Sequence, residues 1–347
     1  MKPNVAVVGC GYWGPNLVRN LNQIPKCNMK MCCDIDDQKL KRIESLYPNI
    51  KVTNRLEDIL EDESIDAVAV ATPVFTHKEI GIQCLEHGKH VMIEKPMASS
   101  SEECLALIES AERNNKVLMV GHTFEYTAAV NKIKKIVDSG ELGDILYVSC
   151  VRVNLGLFQP DINVVWDLAP HDISIILYVL EKFPNAINSQ GSAHFKPDIE
   201  DVANVTLNFP NGTIAFLHDS WLDPAKIRKI TFVGSKKMLV YDDINPNEKI
   251  KIYDKGVDVP PYYDTYAEFQ FSYRYGDIYT PKLDEYEPLR EECKHFLDCI
   301  ETGQTPRSDG YSGLRIVSIL EAANKSMRNG GGRQPVLYNT DAMPKIA

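Results

Sequence analysis

The sequence predicts an α/β domain with a doubly wound parallel sheet over residues 1–121, then an α+β domain with a large, mostly antiparallel open sheet over residues 122–347. Three observations carry this. The chain has 347 residues, more than the ~250–300 at which one hydrophobic core stops growing. Up to Val120, short apolar runs alternate with amphipathic stretches, the pattern of parallel strands with crossover helices. Beyond Gly121 that rhythm gives way to successive strand-like runs.

In the first part the runs Val5–Val8, Met29–Cys33, Ala67–Ala71, His90–Ile93 and Val117–Val120 read as buried strands. Between them Trp13–Ile24, Asp37–Leu46, Thr76–Glu86 and Ser101–Asn114 carry helical periodicity. Right-handed crossovers make the doubly wound order the simplest topology.

In the second part a helix is expected over Ala128–Val137, a strand over Asp144–Val153 and a helix from about Leu168 to Lys182. Strands follow over Ile187–His194, Val202–Phe209, Thr213–Trp221, Lys229–Val233 and Lys237–Tyr241. Pro210-Asn211-Gly212 signals a hairpin, with Asn-Gly suited to a type I′ turn, and Gly234-Ser235-Lys236 a second tight turn. Two helices close the chain, Glu287–Glu301 and Ser312–Arg328, the last stopped by Gly330-Gly331-Gly332.

Composition narrows the function. A formal charge of −10 argues against nucleic acid or an anionic membrane as partner, since both call for a basic surface. No run reaches the ~18 apolar residues of a membrane span, and the N-terminus lacks a signal-peptide pattern. Nine scattered cysteines have neither disulfide nor zinc spacing. A reduced, cytoplasmic protein without a metal is expected.

Gly9-Cys10-Gly11-Tyr12-Trp13-Gly14 follows the first strand and opens the first helix, and Asp34 ends the second strand. This is the setting of the Rossmann dinucleotide fingerprint. Gly9 allows the tight turn, Gly11 the approach of pyrophosphate and Gly14 the helix–strand contact. Tyr12 and Trp13 flank that approach, and the helix N-terminus attracts the phosphates. Asp34 is placed to accept from the adenosine ribose. With Asp36 and Asp37 beside it and no adjacent arginine, NAD is favoured over NADP.

Two further elements could carry chemistry. Glu94-Lys95-Pro96 ends a strand at the sheet edge where such folds bind ligands, and proline holds Lys95 extended. In Trp166-Asp167-Leu168-Ala169-Pro170-His171, Pro170 suits a first helical turn, and Asp167 and His171 are four apart. Bland readings are a surface lysine, an N-cap aspartate and a core histidine.

Together, Gly9 to Gly14, Ala71-Thr72-Pro73 with His77, Glu94-Lys95-Pro96 and Asp167-x-x-x-His171 resemble the Gfo/Idh/MocA family of oxidoreductases over nearly the whole chain. The resemblance implies NAD(P)-linked oxidation or reduction of a sugar or cyclitol hydroxyl. It places Lys95 and His171 at the reacting oxygen with Asp167, and Thr72, Pro73, His77 and Glu94 beside the cofactor. The chain departs from many relatives at Glu125 and Ala128, where arginine and proline are common, so no substrate role carries over there.

The chemistry agrees with that assignment. A neutral imidazole is a suited proton acceptor. In a first helical turn His171 would be kept neutral by the helix dipole while Asp167 orients it. Lys95 would stabilise negative charge on oxygen. Residues Arg152 to His171 look like the branch that oxidises nucleotide-linked sugars, above all UDP-N-acetylglucosamine 3-dehydrogenases. That likeness implies substrate contacts for Arg152 and Asn154. Lys226, Arg228 and Arg274 could also meet a diphosphate, and Tyr262, Tyr263, Tyr266, Tyr273, Tyr275, Tyr279 and Tyr286 could flank a base or merely cover a surface. Alternatives are a free sugar, inositol or sugar phosphate as substrate, or a non-catalytic NAD-binding regulator. A homodimer or homotetramer is expected from an uncovered sheet face, and an aminotransferase could consume a keto product.

Overall fold

The computed structural model describes residues 2–156, 158–159, 161–258 and 272–338. The chain starts with β1 (Asn4–Val8), α1 (Gly14–Gln23), β2 (Asn28–Cys33), α2 (Asp37–Leu46), β3 (Lys51–Thr53), α3 (Glu57–Leu60), β4 (Ala67–Val70), α4 (His77–Glu86), β5 (His90–Glu94), α5 (Ser101–Arg113) and β6 (Leu118–Gly121). It continues with α6 (Ala128–Asp138), β7 (Ile145–Leu155), α7 (Val164–Leu180), β8 (Ala186–Ser192), β9 (Val202–Asn208), β10 (Ile214–Ser220), β11 (Leu222–Gly234), β12 (Met238–Asp242), β13 (Ile250–Asp258) and β14 (Ser272–Tyr279). The last elements are α8 (Pro288–Thr302), α9 (Gly310–Arg328) and β15 (Gln334–Pro335). No helix among the described residues is long and apolar enough to cross a membrane.

The first unit holds an all-parallel sheet in the order β3-β2-β1-β4-β5-β6. It is the expected doubly wound fold with one strand more. β3 is a three-residue edge strand of sequence Lys-Val-Thr, too short and polar to show as an apolar run. The order reverses at β1, so the loops after β1 and β4 flank the topological switch point, where such sheets bind ligands.

A single cut at 121/122 does not describe the units. Met1–Tyr126 clusters with Tyr286–Glu321, and Thr127–Glu285 with Ala322–Leu337. The reason is packing on α1. Leu17 and Leu21 share one core cluster with Cys293, Phe296 and Leu297 of α8, and burying a side chain such as Phe296 contributes about 1.5–3 kcal/mol. Arg19 also grips Glu287 through two hydrogen bonds of 3.0 and 2.5 Å.

The second unit is built on a nine-stranded sheet, β14-β13-β12-β11-β7-β10-β9-β8-β15. Among the described residues only β7 and β10 pair in parallel, so the sheet is mostly antiparallel as expected. Residues alternate along β7: Val148, Cys150 and Arg152 are buried, while Tyr147 on the other face is 41% exposed. The β9–β10 hairpin closes differently from the type I′ expectation. Gly212 N–H donates to Phe209 O at 3.1 Å and Phe209 N–H to Thr213 O at 3.0 Å. Only Gly212 has positive φ, +86°, whereas type I′ needs two such residues. Pro210 fixes a negative φ, which leaves a type I turn followed by a glycine bulge. β13 and β14 were not expected as strands. β14 runs through Tyr273, Tyr275 and Tyr279, so these belong to a sheet edge rather than a covering loop. Tyr262, Tyr263 and Tyr266 lie outside the described residues.

Candidate active site

In the first unit the expected nucleotide residues gather at the C-terminal ends of β1, β2, β4 and β5. Gly9 has φ +95°, and a Cβ there would lie 2.5 Å from Ala71 O. A Cβ on Gly14 would fall 1.9 Å from Gly9 O, so both glycines are required by backbone contact. A Cβ on Gly11 would meet nothing within 4 Å. That open space, above the N-terminus of α1, is the room a pyrophosphate needs. Asp34 Oδ2 accepts from Cys10 N–H at 2.6 Å and Oδ1 from Asp36 N–H at 2.9 Å, which locks the carboxylate at the end of β2 for a ribose. Ile35 beside it is 92% exposed, an apolar face suited to adenine that sequence reading passed over. These residues fit NAD.

Thr72 and Pro73 follow β4 in the same ring of loops, and Tyr12 stands exposed on the glycine loop. His77 does not reach a ligand position. It is buried, with Nδ1 3.0 Å from Pro96 O and Nε2 2.8 Å from Thr72 O. Burial lowers its pKa against the pull of these carbonyls. The ring braces the loop after β4 against the loop after β5, so its cofactor role is indirect. Glu94 also points inward. The residue is half-buried, with Oε1 shielded and without a partner and Oε2 taking a 3.3 Å contact from Lys95 N–H, and desolvation pushes its pKa up to about 7, with Lys95 and the Trp13 indole opposing. Lys95 itself is half-buried at the end of β5, before a cis peptide bond to Pro96.

In the second unit Asp167 and His171 lie on α7, but the helix starts earlier than expected. Asn163 is its N-cap, accepting from Trp166 N–H at 3.1 Å, and Pro170 falls inside the helix. Asp167 is therefore the first-turn residue and His171 lies a turn beyond. The dipole effect fades after the first turn, so it does not act on His171 as expected. The four-residue spacing still sets both side chains on one face. The Asp167 carboxylate is fixed by the Trp221 indole, Nε1 to Oδ2 3.1 Å. Nothing local in the sequence announces Trp221, which comes from the corner between β10 and β11.

Arg152 is a correction. It is 3% exposed and paired to Asp172 at 2.6 Å, because the inward row of β7 carries it beneath α7. It is not a surface group for a substrate phosphate. Arg228 and Arg274 are engaged by Asp243 and Asp254 at 3.5 and 3.0 Å, while Lys226 is exposed. Asn154, two residues on from Arg152, shares its face of β7 and is half-buried.

A parallel sheet with this glycine turn, this acidic strand end and a lysine after β5 defines a dinucleotide-binding protein of the oxidoreductase type. A family model described as "Oxidoreductase family, NAD-binding Rossmann fold" matches residues 3–122, and one for the GFO/IDH/MocA C-terminal domain matches residues 130–240. The protein belongs to the Gfo/Idh/MocA family of oxidoreductases, and its nucleotide domain binds NAD. A similar curated relative is inositol 2-dehydrogenase 2 of Saccharopolyspora erythraea, 28% identical over 97% of this chain and 98% of that protein. Similar solved structures include the UDP-N-acetylglucosamine 3-dehydrogenase GnnA of Acidithiobacillus ferrooxidans. It has a TM-score of 0.78 and 23% identity, covering 93% of this chain and 98% of that one. GenD2 from gentamicin A biosynthesis, solved with NAD, has a TM-score of 0.82 and 21% identity, covering 97% of each chain. At these identities the structural likeness is one of fold.

Proposed function

We propose that the protein is an NAD-dependent dehydrogenase that oxidises a secondary hydroxyl of a sugar, with C3 of a UDP-linked N-acetylhexose as its substrate position. The observation that carries the dehydrogenase reading is the Asp167 carboxylate, held by Trp221 one helical turn before His171. A non-catalytic regulator has no need of a carboxylate fixed beside a histidine. Bound NAD supplies the hydride acceptor that no side chain offers. Lys95 donates a hydrogen bond to the hydroxyl oxygen and stabilises its developing charge. His171 takes the hydroxyl proton, and Asp167 favours the imidazolium that results.

The nucleotide-sugar reading rests on the run Arg152–His171, although Arg152 now supports α7 instead of a phosphate. A nucleotide handle lets remote binding energy select one hydroxyl among several. The inositol dehydrogenase relative, similar over its full length, favours a cyclitol as the second reading. The test is NADH formation on UDP-N-acetylglucosamine, its uronate, glucose 6-phosphate and inositol. An aminotransferase with glutamate, or a ketone trap, is added to draw off the keto product. Turnover of inositol or the sugar phosphate, with none on a UDP sugar, rejects the nucleotide-sugar substrate and keeps the dehydrogenase. Absence of turnover with tight NAD binding rejects the enzyme.

We infer also that the protein is a homodimer or homotetramer. Tyr147 and Phe216, 41% and 46% exposed, meet edge to face on the outer side of the nine-stranded sheet, and a second copy would cover them. Light scattering that finds a monomer at micromolar concentration rejects this.

A further inference from the structure

A row of aromatic rings leads outward from Asp167 in the second unit. Its inner end is Trp221, whose indole holds the Asp167 carboxylate at 3.1 Å. Phe158 comes next, its ring centroid 5.5 Å from that of Trp221, and Phe195 follows, 5.4 Å from Phe158. Exposure rises along the row, from 1% at Trp221 through 46% at Phe158 to 73% at Phe195. The two phenyl rings meet at 70°, so together they form a corner. A flat ring fits there with its face on one phenyl and its edge against the other.

Local structure holds this corner in place. Gly156, just past the end of β7, donates its N–H to Trp221 O at 3.0 Å, and a Cβ there would come within 2.6 Å of the indole. A glycine lets the chain pass this close and bring Phe158 to the indole two residues later. Phe195 stands in the loop between β8 and β9, where Asp201 pins it. One oxygen of this buried carboxylate accepts from the N–H groups of His194 and Phe195, at 2.7 and 3.1 Å, and the other lies 2.7 Å from His194 Nδ1. The Asp201 carbonyl accepts in turn from Trp221 N–H at 2.9 Å. One buried residue thus fixes both ends of the row. Burying a carboxylate is unfavourable unless it is bonded, and here its bonds hold the backbone of a largely exposed phenylalanine.

We propose that Phe158 and Phe195 are the subsite for the base of a nucleotide-linked substrate, with the reacting sugar at Asp167 and the base stacked in the phenyl corner. This rests on the nucleotide-sugar reading and adds where the handle binds. Size selects the occupant. A free sugar or cyclitol is one ring wide and is taken up at Asp167 and His171, whereas Phe195 is two ring contacts further out from Trp221. A substrate that reaches it needs a second ring on a linker, the build of a nucleoside diphosphate sugar. A base suits the corner chemically, since its π face stacks on an aromatic side chain whatever its edge carries. Both phenyl rings are anchored before it arrives, so binding adds little ordering cost.

The test uses UDP, which carries the handle without the sugar, on protein saturated with NAD so that the dinucleotide site is filled. Calorimetry should show UDP binding to the native protein, weakened about tenfold or more in Phe195→Ala, the order of affinity that a base loses with its stacking ring. Phe195→Tyr, which keeps the ring, should restore it. NAD affinity and the melting curve should stay in place, because the side chain is largely exposed. In turnover, Phe195→Ala should raise KM for UDP-N-acetylglucosamine by a similar factor, with a smaller effect on kcat. Equal UDP affinity in the native protein, Phe195→Ala and Phe158→Leu overturns the subsite, even where UDP sugars are oxidised. No binding of UDP by the native protein overturns it too. Weaker UDP binding in Phe195→Ala with no turnover of any UDP sugar upholds the subsite and rejects the sugar oxidation instead.

Discussion

The indole Nε1–H of Trp221 donates to Oδ2 of Asp167 at 3.1 Å, so a fully buried residue at a sheet corner orients the carboxylate that precedes His171 by one turn. A hydrogen bond to a charged group is worth about 1.5–3 kcal/mol. Trp221→Phe keeps most of the packing and removes the donor. It should lower kcat about tenfold to a hundredfold, with NAD affinity unchanged and a small loss in melting temperature. Steady-state kinetics beside a melting curve check this, and unchanged kcat would separate Asp167 orientation from catalysis.

Lys95→Ala and His171→Ala should each lose on the order of 10²–10⁴ in turnover while still binding NAD. Calorimetry for NAD and stopped-flow for NADH formation give both quantities. Near-native turnover in either variant withdraws that residue from the mechanism.

NAD should bind about tenfold or more tightly than NADP, the factor that ~1.4 kcal/mol of repulsion at a 2′-phosphate produces. Asp34→Ala should narrow the gap for two reasons. The carboxylate is gone, and Lys39, 3.7 Å from Asp34 Oδ1, is left to face a phosphate. Equal binding of the two cofactors by the native protein counts against this account.

The Arg152–Asp172 pair shares its interior with Asp219, buried with neither carboxyl oxygen bonded. Burial and then Asp172 raise Asp219 well above its usual pKa. A carboxyl with a raised folded pKa binds its proton more tightly when folded. Its contribution is full below the unfolded value of about 3.9 and is lost as pH rises through the folded one. Asp219→Asn should thus flatten the fall of melting temperature with rising pH, whereas Arg152→Ala, stranding two acids, should cost about 3–5 kcal/mol. Parallel pH curves for native and Asp219→Asn protein would refute the assignment.

Much of the site was legible because local pattern and local chemistry coincide there. Gly9, Gly11, Gly14 and Asp34 sit at fixed offsets from a strand and a helix, and backbone contact with Ala71 and within the turn makes Gly9 and Gly14 necessary. A helical period was enough to set Asp167 and His171 on one face of α7. The start of α7 was misread because Pro170 is as good a first-turn signal as Asn163. The bond from Asn163 to Trp166 N–H, and its contact with Glu200 at 2.8 Å, are what decide between them.

The sequence by itself determined the parallel dinucleotide fold, the mostly antiparallel second sheet, and the glycine turn and acidic strand end of the NAD site. Each depends on periodicity or on a spacing within about twenty residues. Only the tertiary structure decided that Arg152 lies buried under α7, that His77 braces two loops, that Trp221 aims Asp167, and that α8 returns to pack Cys293, Phe296 and Leu297 with Leu17 and Leu21 of α1. These depend on which distant residue fills the space beside a buried polar group. A charge or a hydroxyl reads the same in sequence whether water or another carboxylate faces it, and in the folded protein that neighbour sets both its charge and its role.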